Sequence, residues 1–356
     1  MGFHLKHIKK YRRWVKQTLS AYRENRRFDP VYAKRELALR TAQLLDKPAR
    51  IDRAAQKKHE WVLAYMEKHC SETIRQYWDL PAPANLRQPQ RDPKIWSMWW
   101  QGEENADPLF QMCINSARQH SHQPVITLTK DNYSEYFEIP DYILKKHAEG
   151  KVMIQHICDL MVVSILAAQG GFFTGATVWW SQDAPEGVLD APFYTCRAVS
   201  KSQQSMSRSR WVGYLMGGNK EFPLFSFARD CLLEYWQNCD HAADYLMLDY
   251  VFELAYRNIP CVKETIDSLP EQNNMLRNDL IMHLGDPYDA EAFRRYTEGD
   301  TFLYKLSWKF GKKDRVSSDG KQTNYGHMLE EQSNANAGQN DAQEDEGHEI
   351  RRRPCR

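Results

Sequence analysis

Two polar residues interrupt an apolar segment near the middle of the chain, and their types and spacing suit ligand binding. His156 and Asp159 lie three positions apart in a predicted helix, 154–168, so they share one face with Val163. Burying a carboxylate is costly unless it is hydrogen-bonded, so we predict that Asp159 contacts a ligand. His156 is either a satisfied core histidine or a second ligand contact.

The strand predicted after this helix carries a glycine at a position where a ligand cleft is expected to have a carboxylate. Gly170 and Gly171 lead into an aromatic strand, 172–180, whose tip contains Gly175 and Thr177. Carboxylate oxygens hold hard divalent cations, and glycine has no side-chain oxygen. The predicted cleft therefore lacks an obvious metal ligand at this position.

Three further groups of residues could carry chemistry. Trp100 and Gln101 follow a short apolar strand, where an indole face suits a nucleobase or sugar ring, although both could equally be core residues; Trp96 is predicted to be core. Asp249 and Glu253, four apart on a helix, could reach an acceptor or simply serve helix packing. Lys305 could neutralise phosphate, against the alternative of a solvated lysine.

The elements that must position these residues alternate between strand and helix. This alternation predicts an α/β fold with a mostly parallel sheet, whose ligand site lies beyond the carboxyl ends of the strands. The predicted strands are 95–100, 125–129, 172–180, 193–199 and 211–216, and the main helices begin at Pro108, Asp141, Ile154, Pro223 and Ala242.

The domain organisation follows from composition. Residues 1–80 are predicted to be a basic helical N-terminal extension with breaks at Pro30 and Pro48, and the proline-rich segment 81–93 a linker. Residues 94–310 form the predicted α/β domain, and 311–356 a disordered polar tail.

Overall charge and cysteine content bound the class of protein. The 48 Lys and Arg nearly balance the 47 Asp and Glu, so no nucleic-acid partner is expected. Eight cysteines lack metal-binding spacing and indicate reduced thiols in the cytoplasm. No signal peptide or membrane span is evident. Segment 1–27 is basic and amphipathic, which fits either peripheral contact with the inner face of the membrane or packing on the protein itself.

Seven sequence blocks, in this order and spacing, resemble the capsular polysaccharide synthesis family, which is related to sugar transferases with an Asp-X-Asp motif. They cover roughly residues 93–310: IWSMWWQG, CINSARQH, VITLTKDNY, IPDYILKKHAEGKVMIQHICDLMVVSILAAQGGFFTGATVWW, DYLMLDYVFELAYRNIP, IDSLPEQNN and YKLSWKF. The resemblance implies an A-type glycosyltransferase fold, which is Rossmann-like, and a nucleotide-sugar donor. It also implies a glycan or polysaccharide acceptor, and the related enzymes retain anomeric configuration.

The same resemblance implies roles for individual residues. Asp159 matches the aspartate of the family motif His-X-X-Asp-X-X-Arg, which holds the ribose or the donor sugar, and we count His156 among the donor-binding residues. Trp100 and Gln101 match the strand end beside the nucleotide. Gly171 and Thr177 match residues around the Asp-Ala-Thr-Val tip, and Asp249 matches a family aspartate, which makes it the candidate for acceptor or catalytic contact.

Two positions depart from the family pattern. Val162 replaces the motif arginine and Gly175 replaces the tip aspartate, a ligand for the divalent cation, Mn²⁺ or Mg²⁺, that neutralises the donor diphosphate. Asp183 is too far along an extended strand to substitute. The chain is therefore predicted to be either an active transferase or a catalytically impaired homologue that binds sugar or acts as a scaffold. If the cleft is otherwise intact, Gly175→Asp should raise ion-dependent donor binding. A nicotinamide dehydrogenase is excluded because no GxGxxG follows the first strand.

Overall fold

The fold was analysed in a computed structural model, which describes residues 2–90, 92–200, 202–309 and 314–334, with side chains from Arg12 onward. In the described residues, no helix is both long and apolar enough to cross a bilayer.

Four helices occupy the N-terminal segment, as its composition predicts: α1 (Gly2–Phe28), α2 (Pro30–Leu44), α3 (Pro48–His69) and α4 (Ser71–Tyr77). Pro30 and Pro48 each stand at the first position of a helix, where the missing N–H costs no intrahelical bond. Asp29 caps α2, its carboxylate accepting hydrogen bonds from the N–H groups of Val31 (2.7 Å) and Tyr32 (2.8 Å). α1 packs on α2, where Val15 and Tyr22 are half-buried while Leu19 stays exposed.

The central sheet contains β1 (Ile95–Met98), β2 (Val125–Leu128), β3 (Gly171–Thr174), β5 (Phe193–Thr195) and β6 (Leu215–Gly218), in the order β2-β1-β3-β6-β5. Because β1 is parallel to β2 and β3, while β6 is antiparallel to both of its neighbours, four strands run in one direction and β6 runs against them. The fold is therefore mixed α/β with a mostly parallel sheet.

The segment predicted as one strand, 172–180, forms two strands in two different sheets. β3 ends at Thr174, the chain turns through Gly175 to Thr177, and β4 (Val178–Trp180) pairs antiparallel with β7 (Leu303–Lys305). The turn is closed by the Val178 N–H, which donates to the Gly175 carbonyl at 2.9 Å. Periodicity did not predict this turn because both halves are apolar and aromatic.

Helices on either side of the sheet complete the fold: α5 (Pro108–Ser121), α6 (Asp141–Ala148), α7 (Ile154–Gln169), α8 (Pro223–Asn238), α9 (Met247–Asn258), α10 (Pro260–Asp267), α11 (Leu280–His283) and α12 (Ala290–Thr297). One core joins the sheet, α7, α8 and α9 to the N-terminal helices, since Val62, Met66 and Cys70 are buried in the same cluster as Trp96 and Trp236. The predicted helix from Ala242 starts instead at Met247, because the Asp244 side chain accepts from the Leu246 N–H at 3.0 Å.

Part of the segment predicted to be disordered, 311–356, is ordered. A final helix, α13 (324–334), buries Tyr325 and Met328 against Leu109 and Cys113. The Tyr325 N–H donates to the Leu284 carbonyl at 2.9 Å, which anchors the helix start. A few well-spaced apolar residues suffice to dock this helix even though its surroundings are polar. The remainder of the predicted tail, 335–356, lies outside the described residues.

Candidate functional site

The carboxyl ends of β1 and β2 form one wall of the candidate site. Trp100 is half-buried and stacks on Tyr133, with ring centroids 5.9 Å apart and planes 23° apart, while Gln101 is exposed. The Trp99 N–H donates to the Leu128 carbonyl at 3.0 Å, which continues the β1–β2 pairing to this edge. Trp96, by contrast, is fully buried and donates its indole N–H to the Gly170 carbonyl at 2.8 Å, as expected of a core residue.

α7 brings His156 and Asp159 to the same edge. Because α7 leads through one residue into β3, it runs antiparallel to that strand, and its first turns lie toward the strand's carboxyl end. The Asp159 side chain is 19% exposed, and its Oδ2 lies 3.9 Å from Nδ1 of His156. His156 is 1% exposed, and neither ring nitrogen has a hydrogen-bond partner among the described residues.

Asp249, from the first turn of α9, senses the negative charge of Asp159. Burial, together with the negative charge of Asp159, raises the pKa of Asp249 to about 6, although the Trp211 hydrogen bond opposes the rise. That bond runs from the indole N–H to Oδ1 of Asp249 at 3.0 Å. The fold therefore places two carboxylates that are 90 residues apart in one electrostatic environment, and a carboxyl with a pKa near neutrality suits proton transfer.

Glu253, for which the sequence left open an acceptor contact or helix packing, is engaged within the fold. It is 4% exposed and forms salt bridges with Arg210 and, at 2.7 Å, with Arg257. The Arg210 guanidinium also lies 4.4 Å from the ring centroids of Trp211 and Tyr256. Both oxygens of Glu253 therefore have cationic partners, and the residue serves helix packing.

Gly171 does not join the other predicted donor-binding residues. It begins β3, at the opposite edge of the sheet, with a φ of 98°. A Cβ atom there would lie 2.4 Å from the Lys94 carbonyl oxygen and 2.7 Å from Nε1 of Trp96. Glycine is required here for the close approach of β3 to β1, not for donor binding.

Gly175, at the tip of β3, packs directly against the backbone that precedes β6. Its N–H donates to the Tyr214 carbonyl at 2.8 Å, and a Cβ atom would lie 2.9 Å from that same oxygen. An aspartate at this position would have to displace backbone. Val162, the other departure from the family pattern, is 4% exposed and packs in the main core, where an arginine would need a buried partner.

The residues present do not fit the divalent cation that the family resemblance implies. No group of three or more His, Cys, Asp and Glu residues among those described has the arrangement of a metal site. Asp183 cannot serve, because its two oxygens contact His120 and His122, each at 2.9 Å, on the surface. The space of the missing carboxylate is occupied by the Tyr214 carbonyl.

The tip instead carries cationic side chains. Lys305 donates from its ammonium to the hydroxyl of Thr177, which is buried, and to the Leu306 carbonyl at 2.8 Å. Its Nζ lies 5.5 Å from the Tyr214 ring centroid, and burial lowers its pKa. Arg277 is 8% exposed and was not identified from sequence, since nothing in MLRND marks it as functional. We call Thr177, Tyr214, Arg277 and Lys305 the tip cluster.

The tip cluster and the two carboxylates are joined by one short segment. The Trp211 indole N–H donates to Asp249, and the carbonyl of Tyr214, three residues later, accepts from the Gly175 N–H. Three residues span at most about 10 Å, so the backbone positions of these two contacts are neighbours in the fold.

Comparison with known proteins gives one family match. The model of the capsular polysaccharide synthesis protein family matches residues 43–328. No curated protein matches the sequence. Among solved structures, "PaToxG Glycosyltransferase" is similar with a TM-score of 0.36 and 13% sequence identity, over 60% of this chain and 83% of that chain. So low a TM-score supports no statement about fold or activity.

Proposed function

This chain belongs to the capsular polysaccharide synthesis protein family, and from that premise we propose that it is a glycosyltransferase. It moves a sugar from a nucleotide-sugar donor to a growing capsular or surface polysaccharide. The mixed α/β sheet, with its site at the carboxyl edge, is compatible with an A-type glycosyltransferase fold. We further propose a cytoplasmic protein whose segment 1–27 contacts the inner face of the membrane.

The proposal is supported by Asp159 on α7 and Asp249 on α9, whose charges interact while the Trp211 indole N–H holds Asp249. In the proposed arrangement, Trp100 and Gln101 flank the nucleotide and Asp159 binds the ribose or donor sugar, with His156 buried behind it. Asp249 accepts a hydrogen bond from the acceptor hydroxyl, because its pKa of about 6 leaves it ionised at neutral pH. Retention of anomeric configuration is the expected outcome.

A second candidate function is favoured by Gly175. Because backbone fills the position of the metal-binding carboxylate, the chain could be a catalytically impaired homologue that binds sugar or acts as a scaffold in polysaccharide assembly. A sugar-binding homologue should bind the donor without turning it over, and a scaffold should do neither.

The test is to incubate the full chain with a panel of nucleotide-sugars and measure released nucleoside diphosphate, with thermal unfolding in parallel. A donor at about one hundred times its Kd adds about 2.7 kcal/mol of stability, so binding is detected without turnover. Turnover that falls about 100-fold or more in Asp159→Asn and Asp249→Asn, but not in the surface variant Asp183→Asn, supports the transferase. Stabilisation without turnover supports the second candidate. If no nucleotide-sugar in the panel gives either stabilisation or turnover, the protein does not use such a donor.

A further inference from the structure

Two positive charges in the tip cluster lack negative partners. Among the described residues, neither Lys305 nor Arg277 has a carboxylate within salt-bridge distance. Lys305 is half-buried, and its protein contacts are a hydroxyl, a carbonyl and the face of an aromatic ring. A cation withdrawn from water without a counter-ion is costly, so the fold retains a site suited to an external anion.

Arg277 also lacks a negatively charged partner, and it is more deeply buried than Lys305. It is 8% exposed, its Nη1 donates to the Asn274 carbonyl at 3.2 Å, and its Nε has no partner among the described residues. The Lys305 N–H donates to the Arg277 carbonyl at 2.6 Å, so the two residues are fixed to each other through their backbones. Burial raises the pKa of Tyr214, and the charge of Arg277 opposes this rise.

Contacts link Lys305 to Gly175, the position where the family resemblance implies a metal-binding aspartate. Thr177 is two residues from Gly175, and Tyr214 contacts both Gly175 and Lys305. The metal ligand is missing and its space is filled by the Tyr214 carbonyl, while a desolvated ammonium stands beside it. The negative charge of a bound diphosphate would therefore be neutralised by cationic side chains.

We propose that Lys305, with Arg277 as a second positive charge, binds the diphosphate of the donor and neutralises the leaving group, so that transfer needs no divalent cation. This inference rests on the proposed function. In the step itself, the bond between the anomeric carbon and the phosphate oxygen breaks, and its electron pair stays on the departing nucleoside diphosphate. The anomeric carbon bonds to the acceptor hydroxyl oxygen, whose proton passes to a base or to water. Lys305 stabilises the negative charge that develops on the departing oxygen.

The first experiment measures binding of uridine diphosphate, guanosine diphosphate and inorganic pyrophosphate to the full chain by calorimetry, in EDTA and then in Mn²⁺. The expected result is binding in EDTA that Mn²⁺ does not improve, and a 10- to 100-fold loss in Lys305→Met, roughly the effect of one hydrogen bond to a charged group. The matched control is Lys220→Met, an exposed lysine after the far end of β6. It should bind as the wild type does.

The unfolding temperature of Lys305→Met distinguishes a role of Lys305 in ligand binding from a purely structural role. Because burial disfavours the Lys305 charge, Lys305→Met should unfold at the wild-type temperature or above it. A lower unfolding temperature with unchanged ligand affinity would mean that Lys305 serves only to bond Thr177, and would overturn the inference. So would binding that requires Mn²⁺ and ignores Lys305→Met, or no binding of any of the three probes.

The outcomes also distinguish this inference from the proposed function. Mn²⁺-dependent turnover that survives Lys305→Met leaves the transferase standing and removes the metal-free mechanism. Diphosphate binding in EDTA without turnover of any donor contradicts the transferase, and with it the catalytic part of this inference.

Discussion

At the scale of single residues, the two carboxylates at the sheet edge differ in environment. The Asp159 side chain is 19% exposed and lies near His156. Burial raises the pKa of Asp249 to about 6, although an indole N–H donates to its carboxylate and opposes the rise. Such a carboxyl is less stable when ionised in the folded protein than in the unfolded chain. Its position therefore opposes stability at neutral pH, as is common for functional residues.

Asp249→Asn should stabilise the protein at neutral pH. Between its ordinary pKa of 3.8 and about 6, the folded state binds more protons than the unfolded state, so Asp249's contribution to stability falls as the pH rises through this range. Each pH unit between the two pKa values corresponds to about 1.4 kcal/mol, so the neutral amide should raise the free energy of unfolding by about 1–3 kcal/mol at pH 7.5. At pH 4 the gain should nearly vanish.

Urea denaturation at the two pH values measures this difference. Asp183→Asn is the control, because His122 and His120 lower the pKa of Asp183 and no gain is expected. An Asp249→Asn variant equally stabilised at both pH values would show that the gain does not come from the carboxyl charge.

Gly175 is expected to resist substitution. Its Cβ position lies 2.9 Å from the Tyr214 carbonyl oxygen, so Gly175→Ala should lower the free energy of unfolding by about 1–3 kcal/mol. Gly213→Ala is the matched control, since the nearest atom there is a Leu248 methyl at 3.8 Å, and its effect should stay within about 0.5 kcal/mol.

The structure also changes the outcome expected for Gly175→Asp. The sequence predicts a gain in ion-dependent donor binding provided that the cleft is intact, but the Tyr214 backbone must move to admit the side chain. We now expect lost stability and no Mn²⁺-dependent gain in donor affinity. Calorimetry that finds such a gain at unchanged stability would show that the tip still accepts a metal ligand.

At the scale of elements, a buried ionic cluster fastens α2 and α3 to the loop before α9. Lys58 forms salt bridges with Asp244 at 2.6 Å and with Glu36 at 3.0 Å, and the Tyr32 hydroxyl donates to Asp244 at 3.2 Å. Asp244 and Glu36 outweigh the effect of burial and raise the pKa of Lys58. The same Asp244 caps the loop that sets the start of α9 and hence the position of Asp249.

Lys58→Met should therefore be strongly destabilising. Removing the cation leaves the buried Asp244 without a cationic partner and Glu36 with Arg40 alone, and an uncompensated buried charge costs about 3–5 kcal/mol. The adjacent Lys57 is exposed, so Lys57→Met should change stability by less than about 0.5 kcal/mol. Equal unfolding free energies for the two variants would mean that the cluster contributes nothing net.

At the scale of the whole molecule, the N-terminal helices and the α/β domain share a core. Val62, Met66 and Cys70 are buried with residues of α7, α8 and α9, so the helices close the domain and are not a separable extension. The family match, which begins at residue 43, agrees with this continuity.

A chain lacking residues 1–80 should fail to fold cooperatively. Its loss would expose the apolar surface of α8 and α9 that α3 and α4 cover, since both helices contact α8 and α9. A chain that begins at Asp29, and so lacks only α1, should keep a sharp thermal transition. Circular dichroism and calorimetry compare the two, and a cooperative transition in the shorter chain would contradict a shared core.

The sequence by itself determined the α/β class, the helix starts at proline, the first two strands and the family. These depend on local signals: proline geometry, hydrophobic period and ordered motifs. It also selected Asp159 and Asp249 as separate candidates. Only the tertiary structure decided that their charges interact, that Glu253 is already paired, and that Gly171 lies at the opposite edge of the sheet.

The structure likewise decided that a carbonyl from Tyr214 fills the place of a missing carboxylate beside Lys305 and Arg277. These contacts depend on the antiparallel pairings of β6 and β7 with strands far away in the chain, and such pairings leave no periodic trace in the sequence.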